Sequence, residues 1–195
     1  MKNKDNKMEI IIGIIGIVVG LIVAIVPYLW NKYFARPELT IEIIKDGGTS
    51  SPRGLSSKNK VYEEGSIDGF TAIRVFELTW KFQIRITNNS ELTAFYPDLT
   101  FNPNGPKFNL IDKLNTFQPI QPIETIVLKA ENKKYEEKIG GDRTDVGIQM
   151  PEEFSDLGLL LSYNNSHKSK FFTLFDFNEK KNHFLATRPK EYKTN

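Results

Sequence analysis

Few residues in this chain have the type and spacing that chemistry needs. The two histidines, His167 and His183, have no second ligand at zinc-binding spacing and no carboxylate pair beside them. Cysteine is absent, which removes disulfides, thiolate metal sites, iron–sulfur clusters and a cysteine nucleophile together. Asp142 and Asp145, in the run GGDRTD, start to resemble a Ca²⁺ loop. The spaced oxygen ligands and closing glutamate of such a loop are missing, so the run reads as a solvated loop. Gly140-Gly141 is not followed by the Lys-Ser/Thr of a phosphate loop, and no G-x-S-x-G elbow occurs. A carboxylate pair of the glycosidase kind is assembled by the fold, so the sequence leaves it open. The expectation is a protein that is not an enzyme, with no metal and no cofactor.

Trp80, Phe82, Phe171, Phe172, Phe175 and Phe177 are the remaining residues of functional interest. They can line a ligand cavity, but aromatics at strand spacing more commonly build a core, and core is the expectation here.

The element that says most about function lies near the start of the chain. Ile10 to Trp30 is an uncharged run of 21 residues, IIIGIIGIVVGLIVAIVPYLW. As a helix it spans roughly 30 Å, the thickness of a bilayer's hydrocarbon core. It exceeds the h-region of about 7–15 residues of a removable signal peptide, and no small-x-small cleavage site follows it. Tyr28, Trp30 and Tyr33 read as an interfacial aromatic belt, with Lys32 and Arg36 reaching the headgroups. The expectation is an uncleaved single-pass anchor in the cell membrane. At about 100° per residue, Glu9, Gly16, Gly20 and Ala24 all fall within about 60° of Gly13, on one stripe. Such a stripe allows a second helix to approach closely, and it predicts self-association, so the partners expected are the lipid bilayer and other copies of the chain.

Charge narrows the function classes further. Lys2, Lys4, Lys7, Lys32 and Arg36, against Asp5 and Glu9, surround the apolar run, which leaves 21 basic and 22 acidic residues elsewhere, a net of −1. A near-neutral domain without a basic stripe does not suit nucleic acid. Three lysines before the helix against two basic residues after it tilt the following domain towards the extracytoplasmic side, leaving its side open. The abundance of Asn and Lys points to a low-GC bacterial source.

Behind the anchor the pattern is that of strands. From Phe76 to Thr87, six apolar residues (Phe76, Leu78, Trp80, Phe82, Ile84, Ile86) alternate with six polar ones, which predicts a long half-buried strand ended by Asn88-Asn89-Ser90. Shorter strands are expected at Leu39–Ile43, at Phe95–Phe101 with a bulge or an edge at Pro97, and at Ile123–Ala130. Leu157–Tyr163 and Phe171–Phe177 flank Asn164-Asn165-Ser166-His167 as a hairpin. The segment 46–60, DGGTSSPRGLSSKNK, reads as a flexible excursion, and 132–154 as a long loop, functional or holding a short helix.

The domain order expected is a basic tail 1–9, a transmembrane helix 10–30, a linker 31–37, a β-sandwich 38–177 and a basic polar tail 178–195, disordered or touching anionic lipid. The run Arg85-Ile86-Thr87-Asn88-Asn89-Ser90, with Ala94, Leu99-Thr100-Phe101 and Pro122-Ile123-Glu124-Thr125-Ile126-Val127-Leu128, resembles immunoglobulin-like bacterial modules of the CARDB type. The resemblance implies a mainly β fold, an immunoglobulin-like β-sandwich of about seven strands behind one transmembrane α-helix. Fold likeness leaves function open. The expected function is binding of a protein or small-molecule ligand by the sandwich. The alternatives are a membrane-disrupting effector of a bacterial defence or toxin system, triggered by a signal at the β domain, and a membrane-tethered hydrolase.

Overall fold

The structure, a computed structural model, describes residues 2–33, 35–60, 67, 69, 71–139 and 144–192, with the side chains of 2–12 and 31–33 outside the described set. The apolar run and its flanks form one helix, α1 (Lys2–Tyr33), which continues through Pro27. Its segment Gly13–Trp30 has a mean hydropathy of 2.4 and no residue buried within the chain. A helix apolar on every side and covered by nothing does not belong in water. Its length and composition are those of a membrane span, and equally of a signal sequence.

Eight strands follow among the described residues: β1 (Leu39–Leu55), β2 (Ile73–Asn88), β3 (Phe95–Phe101), β4 (Asn109–Leu110), β5 (Thr125–Ile139), β6 (Gly158–Asn164), β7 (Lys170–Asp176) and β8 (Lys181–Leu185). They make two antiparallel four-stranded sheets, ordered β1-β2-β5-β4 and β3-β6-β7-β8. The alternation read from Phe76 to Thr87 is the centre of the fold. All six of its apolar residues are buried, and β2 pairs along its whole length with β1 on one side and β5 on the other. Its inner face meets Leu159, Leu161, Tyr163, Phe171 and Phe175 of the second sheet in one apolar core. Two sheets facing each other across such a core make a sandwich.

Three expectations give way. The Gly- and Ser-rich segment 46–55 is not an excursion: β1 continues through it, paired with β2 as far as Leu55 opposite Arg74. Register shifts between Lys45 and Gly48 and between Pro52 and Gly54 absorb the glycines, with Gly47 and Gly54 at φ of 98° and 130°. Residues 132–139 extend β5 rather than forming a loop, with Asn132 opposite Trp80 and Ile139 opposite Ile73. Its charged side chains find partners locally, Lys133 on Glu131 and Lys134 on Glu153. What covers the inner face there is the connection 144–157, which ends in a short 3₁₀ turn, Glu152–Asp156, with Phe154 buried. The third correction is the tail. Residues 181–185 form β8, and Tyr192, in a 3₁₀ turn (Lys190–Tyr192), is buried against Leu160 and Phe172 on the outer face of the second sheet. Pro97 does mark an irregularity: β3 pairs only with β6, and its register shifts between Phe95 and Asp98.

The junction with α1 is tied down. Asn165, in the β6–β7 turn, donates from Nδ2 to the Ala35 carbonyl at 3.0 Å while its Oδ1 accepts from the His167 and Ser169 amides. Arg36 lies over the Phe184 ring at 5.0 Å. Asn89 N donates to the Glu38 carbonyl at 2.9 Å. From there β1 runs as an edge strand, and side chains of the opposite sheet claim its outer side. Thr173 Oγ1 donates to Leu39 O at 2.8 Å, Ile41 N donates to Asn182 Oδ1 at 2.9 Å, and Asn182 Nδ2 donates to Ile41 O at 2.9 Å. One amide thus imitates a missing strand, and β8 is fastened to the first sheet through it. Asn182→Ala should lower the unfolding free energy of the full chain in detergent micelles by about 1–3 kcal/mol, since a buried strand loses both partners. A urea titration followed by Trp80 fluorescence measures it, and Asn182→Asp, which keeps the acceptor alone, should fall in between.

Candidate functional site

A groove of about 780 Å³ runs along the outer edge of β1. Inward-facing residues of three elements form its floor: Phe82 from β2, Met150 from the 144–157 connection, and Phe175 and Phe177 from β7 and the residue after it. Ile41 and Ile43 form one wall, and Lys180 of the β7–β8 turn with Asn182 of β8 forms the other. The floor is the rim of the core: Phe82 and Phe175 are buried, while Met150, Phe177 and Ile43 pack against the same cluster with part of their surface open. Lys45, Lys180 and Glu42 are the charged groups that line the groove. Lys45 also braces it, its Nζ donating to the carbonyls of Gly147 at 2.8 Å and Gln149 at 3.3 Å. Trp80 Nε1 donates to that same Gln149 carbonyl at 2.8 Å, so the connection behind Met150 is held from both β1 and β2. Volume and lining suit a ligand with apolar surface.

The aromatics singled out in the sequence are therefore mostly core, and three of them show an edge to the groove. Phe171 joins the main core, and Phe172, one residue on, joins the separate outer cluster with Leu160 and Tyr192. Sequence reasoning missed Asn182, Met150 and Lys180. Asn182 lies in a segment read as tail, and nothing in the sequence announces a side chain that caps another sheet's backbone.

The helix stripe stands open. A Cβ added at Gly13, Gly16 or Gly20 meets nothing within 4 Å, and the residues from Gly13 through Ala24 are exposed. Glu9 belongs to α1, with its side chain outside the described set. The two histidines are not brought together: His167 is in the β6–β7 turn, and His183, on β8, lies 3.8 Å from Glu179. Asp142, Gly140 and Gly141 fall outside the described residues, and Asp145 accepts from the Gly147 amide within its own turn. Among the described residues no group of three or more potential ligands could hold a metal ion.

Carboxylates do gather in a smaller cleft of about 470 Å³, where Asp156, Asp176 and Glu191 surround Tyr192. Two of them serve local structure: Asp176 Oδ1 accepts from the Glu179 amide at 3.0 Å, and Asp156 Oδ1 accepts from Ser155 Oγ. Burial, with Glu191 and Asp176 nearby, pushes the Tyr192 phenol up to about 12. A phenol protonated more firmly in the folded state gives stability that is complete below the unfolded value near 10 and is lost as pH rises through about 12. The protein should therefore lose stability between these two pH values, and Tyr192→Phe should remove that part of the alkaline loss; parallel urea titrations at pH 9 and 12 measure it. No family model and no curated protein matches this sequence.

Proposed function

We propose that the protein is a single-pass membrane-anchored β-sandwich that binds a partner or ligand and self-associates through α1. The observation that carries the reading is the groove on β1, the strand that continues directly from the helix through a docked linker. A binding face placed there stands next to the membrane. We take the sandwich to be immunoglobulin-like. The order β1-β2-β5-β4 against β3-β6-β7 follows the two-sheet connectivity of constant-type immunoglobulin domains, with β8 added at the far edge. This supports the resemblance to CARDB-type modules. The reading includes no catalytic step: the groove has one carboxylate, Glu42, and neither histidine. The reading has the protein in the cell membrane, with the count of basic residues around α1 tilting the sandwich to the extracytoplasmic side.

The open stripe Gly13, Gly16, Gly20 and Ala24 supports helix pairing, since packing of small residues, rather than hydrophobicity, drives association in lipid. The same stripe supports a second reading, an effector whose sandwich is cytoplasmic and whose clustered helices disrupt the bilayer. Complete digestion of the sandwich by protease added to intact spheroplasts would exclude that reading.

The cysteine-free chain makes the test direct. The full protein should partition into the detergent phase with residues 1–30 intact by mass spectrometry. In membranes, Ile17→Cys, about 40° from Gly13, should crosslink, and Ile22→Cys, about 180° away, should not. Adding Gly16→Ile and Gly20→Ile should abolish the Ile17→Cys crosslink. A mature chain beginning near residue 30 overturns the anchor, and crosslinking indifferent to position overturns the interface.

A further inference from the structure

The outer edge of β1 is treated differently along its length. Ile41 turns both its main-chain groups away from β2, to Asn182. In an antiparallel ladder such residues recur every second position, so Ile43 and Lys45, opposite Ile84 and Phe82, direct their N–H and C=O outward as well. Towards the helix this edge is closed by Thr173 and Asn182. Beyond Lys45 it is blunted by two register shifts and by Pro52, the devices that keep sheet edges from pairing. Only the window between has neither. Among the described residues no side chain or strand takes the outward groups of Ile43 and Lys45, and there the groove opens with its floor of Phe82, Met150, Phe175 and Phe177.

We propose that this window is a strand-addition site, and that its occupant is an extended polypeptide segment with an apolar residue and, two positions on, an acidic one. The main chain of the segment would pair with Ile43 and Lys45 and prolong the first sheet. Alternate side chains would then point inward, the apolar one onto the floor beside Ile43 and the acidic one beside Lys45, which shares the inner face with Phe82 opposite it. Charge selects the acidic residue: Lys45 and Lys180 line the groove against the single carboxylate of Glu42. Lys180 is exposed on the turn before β8 and lines the groove opposite β1. The inference deepens the binding reading and rests on it. It does not depend on whether α1 is an anchor, because the groove belongs wholly to the sandwich.

The test uses the full chain in detergent micelles and a short fluorescein-labelled peptide in which valine and aspartate alternate at every second position, with serine between them. The peptide should bind in a fluorescence anisotropy titration, and it should slow amide exchange at Ile43 and Lys45 by tenfold or more, leaving Thr40 and Glu42 unchanged. The same peptide with N-methylated main chain should not bind, and one with lysine in place of each aspartate should bind less. Lys180→Glu, on an exposed turn, should weaken the acidic peptide about fivefold. Ile43→Pro removes an outward N–H while sparing the β2 ladder, and should abolish binding. If that variant does not fold, the N-methylated peptide and Lys180→Glu carry the same test. Absence of binding at millimolar peptide, or equal binding of the N-methylated peptide, overturns the proposal. Protection of Ile43 and Lys45 that appears without peptide and rises with protein-to-detergent ratio assigns the edge to a second copy and overturns it too. Binding that protects amides elsewhere rejects this site while leaving the sandwich a binding module.

Discussion

The hold of Asn182 on both main-chain groups of Ile41 is the interaction on which the rest of the β domain depends. A sandwich has edges, and β1 is the edge that enters directly from α1. By closing that edge at Leu39 and Ile41, Thr173 and Asn182 join the two sheets where any load transmitted from the helix would arrive. They also bring the last hairpin, β7 with β8, across to the first sheet. The groove is a consequence: it begins where the side-chain closure ends, between a strand with spare main-chain groups and a turn held in place by Asn182.

Behind this edge lies a core organised around β2. Because β2 is central and long, and the strands of the second sheet are short, part of its inner face extends past them. The connection 144–157 covers that part, with Phe154 and Val146 in the core and Gln149 accepting from Trp80. Gly48 leaves room for it, since a Cβ there would come within 3.2 Å of Val146 Cγ2. Met150, which floors the groove, is therefore positioned by a segment whose primary work is to complete the core. The second sheet is buried on both faces. Tyr192 and the half-buried Leu174 and Leu185 close its outer side around Leu160 and Phe172.

What the sequence revealed follows from how local each signal is. The uncharged run gave α1, and the strict alternation from Phe76 to Thr87 gave β2 with every inward residue correct. The Asn164–His167 turn placed the β6–β7 hairpin. What failed were segments whose structure comes from a partner. Residues 46–55 and 132–139 look like loops because glycine, serine and charge dominate them, yet each is held by β2. The tail was missed for a related reason, although a signal existed. Leu159-Leu160-Leu161 and Phe171-Phe172 are consecutive rather than alternating apolar residues, the mark of a sheet covered on both faces, and something further along the chain had to supply the second cover. The groove was legible only in part. Its aromatics stood out, but the placement of Asn182 opposite Ile41, 141 positions apart, is a product of the fold.

The central claim is that β1 is closed at Ile41 and open at Ile43 and Lys45. Residue-resolved amide hydrogen exchange on the full protein in micelles, without added ligand, tests it most directly. The account predicts a protected Ile41 amide beside rapidly exchanging Ile43 and Lys45 amides, with Glu42 and Ile44 protected by β2. Equal protection at all three outward positions, or an unprotected Ile41, would contradict it.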